Sequence, residues 1–92
     1  MEKNDLILNC LGTWYNESNG ITISITRYSL SIKENGVPKK LRPISLNWLN
    51  NGKVVLDSEY TVLIIHENLL LISKTDFVNI GKNEWEVEFA RI

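Results

Sequence analysis

Polar and apolar residues alternate along most of this chain. Ile21, Ile23 and Ile25 are interleaved with Thr22, Ser24 and Thr26, and Tyr28, Leu30 and Ile32 with Ser29 and Ser31. A repeat of two places one set of side chains on each face of an extended strand, and β-branched residues at this density oppose helix. Asn19-Gly20, Asn35-Gly36 and Asn51-Gly52 punctuate the alternation, and such pairs readily take positive φ at both centres of a tight hairpin turn. The pattern predicts eight strands, at residues 12–17, 20–26, 28–33, 40–48, 53–57, 60–66, 68–74 and 84–91. Every connection except the last, 75–83, is short, so successive strands pair antiparallel as a meander. Eight strands in a meander hide their edges by closing into a barrel. Residues 4–11 read either as a short helix capped by Asn4 or Asp5 or as an extended entry strand. No repeat, linker or low-complexity tract interrupts residues 1–92, which read as a single domain.

The same alternation assigns an interior. Trp14, Ile21, Ile23, Ile25, Tyr28, Leu30 and Ile32 face inward from the first half of the chain, and Leu46, Trp48, Val54, Leu56, Val62, Ile64, Leu69, Leu71, Trp85, Val87 and Phe89 from the second. An eight-stranded barrel is just wide enough to be filled by its own side chains or to hold one small ligand. Large residues at most inward positions predict a filled one. Two strands break the rule. Val62-Leu63-Ile64-Ile65 and Leu69-Leu70-Leu71-Ile72 are apolar on both faces, whereas a strand with one wet face should alternate. Leu63, Ile65, Leu70 and Ile72 are therefore expected on the outside as an apolar patch. Burying four such side chains is worth roughly 6–12 kcal/mol. Either residues 5–11, with Leu6, Ile7, Leu8 and Leu11, fold over that patch, or a second copy or another protein does.

Composition narrows the function. The 92 residues are 43% hydrophobic and 23% charged with a formal net charge of -1, which is ordinary for a globular domain. The ten basic residues are scattered, so the basic stripe that nucleic-acid binding requires is missing. Lys39, Lys40 and Arg42 form the densest group and read as a solvated strand entrance. No apolar run is long enough for a membrane span. With one cysteine and a polar, acidic start at Met1–Asp5, the chain needs no oxidising compartment and is expected in the cytoplasm. His66 and Cys10 are the sole histidine and thiol; their positions suggest an exposed turn residue and a small buried apolar one. No catalytic pairing, metal-ligand spacing or phosphate cradle is present, so no catalytic residue, metal or cofactor is expected. Glu84, Glu86 and Glu88 line the outer face of the last strand, as a solubilising ladder or as an acidic stripe for a basic partner.

The segment Leu11-Gly12-Thr13-Trp14-Tyr15 resembles the Gly-x-Trp motif that opens the first strand of lipocalins, fatty-acid-binding proteins and avidins. In those families an Arg or Lys near the end of the last strand lies across that Trp and shuts one end of the barrel. Arg91, in Trp85-Glu86-Val87-Glu88-Phe89-Ala90-Arg91-Ile92, stands in that place. The resemblance spans the whole chain and implies a lipocalin-like (calycin) barrel with Gly12, Trp14 and Arg91 as its signature, although lipocalins proper are much longer. Trp14-Tyr15-Asn16 is also similar to the start of the first avidin strand, where the Asn contacts biotin. The next biotin-contacting Ser of that family is Gly20 here, and the later Trp-rich strands are absent. In length and first strand the chain resembles staphostatins, small inhibitors of bacterial cysteine proteases. In those proteins a Gly-bearing loop before the final strand enters the protease cleft. Ile80-Gly81-Lys82-Asn83 sits in the corresponding loop, but the family's Thr-Ser after the Gly is replaced by Lys82-Asn83.

The sequence thus predicts a barrel without enzymatic activity that binds a protein partner or a second copy of itself. Phe77, Val78, Ile80, Gly81 and Lys82 of the longest loop are the expected contact element, and Leu63, Ile65, Leu70 and Ile72 the expected outer face. The alternative is a carrier of a small apolar ligand held inside the barrel.

Overall fold

A computed structural model describes residues 8–48, 52–73 and 85–92. Among the described residues, all regular structure beyond the helical turn at residues 8–10 is β. The strands are β1 (Gly12–Asn16), β2 (Ile21–Ile25), β3 (Ser29–Glu34), β4 (Val37–Pro43), β5 (Asn47–Trp48), β6 (Val54–Val55), β7 (Tyr60–Ile65), β8 (Asn68–Ser73) and β9 (Trp85–Arg91). Every pairing is antiparallel and the order is β4-β3-β2-β1-β9-β8-β7-β6-β5. First and last strands are neighbours, as in an up-and-down barrel.

The strand expected at 40–48 is two segments. Pro43 ends β4, because it has no N–H to offer a ladder. Just beyond it the Ile44 N–H donates to the Tyr28 carbonyl at 2.9 Å, while the Ser45 N–H donates to the Leu56 carbonyl at 3.1 Å. Adjacent residues thus bond to opposite halves of the sheet, and one bent strand carries the chain between them. Counting β4 and β5 as that bent strand gives eight up-and-down strands. No ladder among the described residues joins β4 to β5, so the expected closed barrel is a curled half-barrel whose two end strands are consecutive in sequence.

Side chains bridge the gap. Lys40 and Arg42 pair with Ile32 and Leu30, both buried, and so share the inner face. Lys40 Nζ donates to the Tyr60 hydroxyl at 3.0 Å, and Arg42 lies 5.6 Å from the centre of the Tyr60 ring. The Arg42 guanidinium meets Glu59 Oε2 at 2.6 Å and Asp57 Oδ2 at 2.9 Å. The Asp57 contact is an ion pair without good hydrogen-bond geometry. The expected solvated entrance at Lys39–Arg42 is therefore corrected: Lys39 is exposed in the β3–β4 bulge, but Lys40 and Arg42 close the seam over the buried Tyr60.

Inside, Trp14, Ile21, Ile23, Ile25, Leu30, Ile32, Val54, Leu56, Val62, Leu69, Leu71, Val87 and Phe89 are buried in one contiguous cluster as expected, joined by Tyr60, Ile44 and Cys10. Leu46 and Ile64 pack partly buried against it. Tyr28 does not. It sits in the turn Thr26–Ser29, whose Tyr28 and Ser29 N–H groups donate to the Thr26 hydroxyl, and it is 79% exposed. Thr26 forms a local turn that takes Tyr28 out of the alternation. Asn35 and Gly36 both take positive φ, as a primed hairpin turn requires. His66 and Glu67 do the same without a glycine, with φ of 49° and 70°.

Replacing Arg42 by Ala frees two carboxylates at the seam, and the partly exposed pairs set the cost at about 1 kcal/mol. A urea titration should show that loss for Arg42→Ala, whereas Lys33→Ala on the exposed outer face stays within about 0.5 kcal/mol.

Candidate functional site

Three surfaces stand out on this framework, beginning with the barrel end where the chain starts and finishes. The helical turn at residues 8–10 leaves carbonyls that no helical amide can reach. Arg91 and Trp14 take them. The Trp14 indole Nε1–H donates to the Cys10 carbonyl at 3.0 Å, one Arg91 nitrogen donates to the Leu11 carbonyl at 2.9 Å, and the other donates to the Asn9 carbonyl. The guanidinium carbon lies 4.0 Å from the centre of the Trp14 ring, which is stacking distance. Strand pairing sets this up, since Trp14 and Arg91 are directly opposite on β1 and β9. Gly12 admits it: its φ is +125°, and a Cβ there would stand 2.8 Å from an Arg91 guanidinium nitrogen that is already tied to Leu11. The signature residues Gly12, Trp14 and Arg91 thus form one unit.

Cys10 lies beneath that cap, 1% exposed. Burial raises its thiol to about 11, against smaller opposing effects of a backbone hydrogen bond and the Arg91 charge. The thiolate is scarce at neutral pH, which makes Cys10 a poor nucleophile. His66 is exposed in the β7–β8 turn. Among the described residues no group of three or more His, Cys, Asp or Glu could hold a metal ion, and no helix is long and apolar enough to cross a membrane.

The second surface is the outer face of β7, β8 and β9. Leu63 pairs with Leu70, and Leu70 with Glu88; Thr61 pairs with Ile72, and Ile72 with Glu86. The expected patch is brought together on neighbouring strands, with unequal exposure. Ile65 is 36% exposed, Leu63 and Leu70 are half-buried, and Ile72 is buried at 8%. Ser73 is fully buried on the other face, so the end of β8 is covered on both sides. The part of residues 5–11 that is described does not lie over this patch. Leu11 packs on the core and Leu8 is 49% exposed at the Trp14 end, because Arg91 and Trp14 hold residues 9–11 there.

The third surface comprises two open grooves. One of about 650 Å3 is lined by Asn9, Trp14, Ile64, Glu67, Asn68, Ala90 and Arg91. The other, about 590 Å3, follows the bend at Pro43–Asn47 and the Val55–Ser58 segment. Phe77, Val78, Ile80, Gly81 and Lys82, the loop residues expected to grip a partner, lie outside the described residues, as does Glu84. Sequence reasoning missed the Lys40–Arg42–Asp57–Glu59–Tyr60 seam. Its one signal was the acid pair Asp57 and Glu59 flanking Ser58 just ahead of an aromatic.

The cap predicts a graded response to substitution. Trp14→Ala should cost about 3–5 kcal/mol and Arg91→Ala about 2 kcal/mol, through lost stacking and stranded carbonyls. Gly12→Ala should cost about 1–3 kcal/mol through its positive φ and the displaced guanidinium. Glu86→Ala, on the exposed face, should stay within about 0.5 kcal/mol. Chemical denaturation measures all four, and equal small effects would refute the cap.

Cys10 predicts a pH dependence. The folded state holds its proton more tightly than the unfolded chain does, so Cys10 favours folding below pH 9, its unperturbed value, and that contribution drains away as pH rises toward about 11. The fall in melting temperature over that window should be shallower in Cys10→Ala than in the parent.

Comparison with protein-family models, with curated proteins and with solved structures finds no match for this chain.

Proposed function

We propose that this chain is a small lipocalin-like barrel without enzymatic activity that works by binding another protein on its outer surface, as an inhibitor, an immunity-type antagonist or a self-associating module. The observation that carries the reading is the apolar outward row on β7 and β8. Leu63 and Leu70 face each other across the ladder, with Ile65 exposed beyond them. A sheet with one wet face has no structural need for such residues, and contiguous apolar surface of this kind marks association sites.

The interior argues the same way. Side chains from Trp14 to Phe89 meet in one buried cluster, and a barrel this narrow has room either for them or for a ligand. What is left for recognition is the outside. In this reading Phe77, Val78, Ile80, Gly81 and Lys82 add to the contact, and the protein resides in the cytoplasm.

Native mass spectrometry on protein isolated from its own cells tests the proposal. The expected result is a complex heavier than the 10.6 kDa chain by at least one polypeptide, lost in Leu70→Glu while the variant keeps its β-sheet circular dichroism. A bare chain under all conditions would overturn it. An added mass on the order of a few hundred daltons would overturn it in favour of a small apolar ligand.

A further inference from the structure

Among the described residues, the two halves of the outer surface carry opposite charge. On β9, Glu86 and Glu88 are exposed and stand opposite Ile72 and Leu70. Glu67 is exposed in the turn ahead of β8. Among the described residues, no basic side chain occupies an outward position of β7, β8 or β9. Arg91, at the end of β9, is committed to the Trp14 cap.

On the other half, the outward positions of β2, β3 and β4 carry the reverse. Lys33 is exposed opposite Thr22 on β2 and Pro38 on β4, and Lys39 is exposed in the adjacent bulge. Leu41 is 75% exposed opposite Ser31, whose other neighbour is Ser24. An outward leucine and two free-standing lysines therefore sit on a floor of small hydroxyl side chains, with no carboxylate at an outward position of these three strands. Their inward cations, Lys40 and Arg42, are spent on the seam.

From this we infer, resting on the outer-face reading above, that the protein's partner is a second copy of itself, bound head to tail. The Lys33–Lys39–Leu41 face of one copy docks on the Leu63–Leu70 face of the next, where Glu86 and Glu88 meet the lysines. Charge decides the geometry. A two-fold dimer made by pairing the β7–β9 face with itself would bring Glu86 and Glu88 of both copies together, and like charges at an interface are costly. The same holds for pairing the lysine face with itself. The head-to-tail arrangement satisfies both faces at once, and because each copy of a pair keeps one free face it builds chains or rings rather than a closed two-fold dimer.

Charge-swapped variants test this directly. Lys33→Glu/Lys39→Glu makes both faces acidic, and Glu86→Lys/Glu88→Lys makes both basic. Light scattering from micromolar to millimolar concentration should show the parent forming species above a dimer. Each double variant alone should lose association about tenfold or more, and an equimolar mixture should regain it, since acidic and basic faces then alternate. All substituted positions are exposed, so both variants should fold, and circular dichroism checks this.

A Lys33→Glu/Lys39→Glu variant that still dimerises would overturn the head-to-tail inference in favour of a two-fold contact. A mixture no better associated than its components would overturn it as well. A parent that is monomeric alone but recovered from its own cells with a different protein, lost in Leu70→Glu, would sink this inference and leave the outer-face reading standing. A parent that is bare and monomeric in both settings would sink both.

Discussion

The Arg91 side chain is the constraint on which the rest of this fold depends. It reaches from the last strand across the first-strand indole and ends on the carbonyls of the segment that enters the sheet. Two parts of the chain 80 or more residues apart in sequence are thereby tied at one point. A barrel end exposes backbone groups that neither a ladder nor a helix can satisfy, and each would cost a hydrogen bond if buried unpaired. A guanidinium suits the task better than an ammonium. Its plane stacks on the ring while its divergent N–H groups reach two separate carbonyls. Gly12 belongs to the same device, because a side chain there would occupy the space the guanidinium needs.

The far side of the barrel solves a related problem with the same materials. Where β4 and β5 fail to pair, Arg42 lies against the Tyr60 ring and pairs with Asp57 and Glu59. At both sites a cation covers an aromatic ring of the core and spends its donors on groups that would otherwise be stranded. Both devices close the structure without a continuous ladder. They also leave the interior to its own side chains.

How much of this could be read from the sequence depended on whether a feature was local or needed the register. Trp14 and Arg91 were legible because Gly-x-Trp and a terminal Arg are recognisable without knowing the pairing. The inward isoleucines of β2 and β3 followed from strict alternation. Tyr28 was misplaced because a hydroxyl turn at Thr26 overrides parity. Lys40 and Arg42 were misread because three cations in four residues look solvated until pairing with Ile32 and Leu30 sets two of them inward. The break after Pro43 was foreshadowed by a residue that cannot donate to a ladder, but where a strand changes halves depends on the shape of the whole sheet. The His66–Glu67 turn carried no glycine signal, and the adjoining strands had to impose it.

That turn bears on why the apolar outer row is retained. Two consecutive residues at positive φ without glycine cost on the order of 1–3 kcal/mol each, and they join the two strands whose faces are hardest to tell apart. A one-residue slip of β7 against β8 would exchange the Val62–Leu71 set for the Leu63–Leu70 set at little cost in burial, since both are apolar. Within these strands only Tyr60 at the start of β7, buried and bonded to Lys40, opposes the slip, so the apolar runs alone do not specify their register. The face of β8 is further imposed from β9, where Val87 and Phe89 alternate with Glu86 and Glu88 so that a slip would bury carboxylates. β9 is in turn fixed by Arg91 on Trp14. Polar residues at positions 63 and 70 would make the register self-specifying and remove the ambiguity. Leucines there weaken specification and leave apolar surface in water, a combination that folding alone does not favour and that the proposed binding face would.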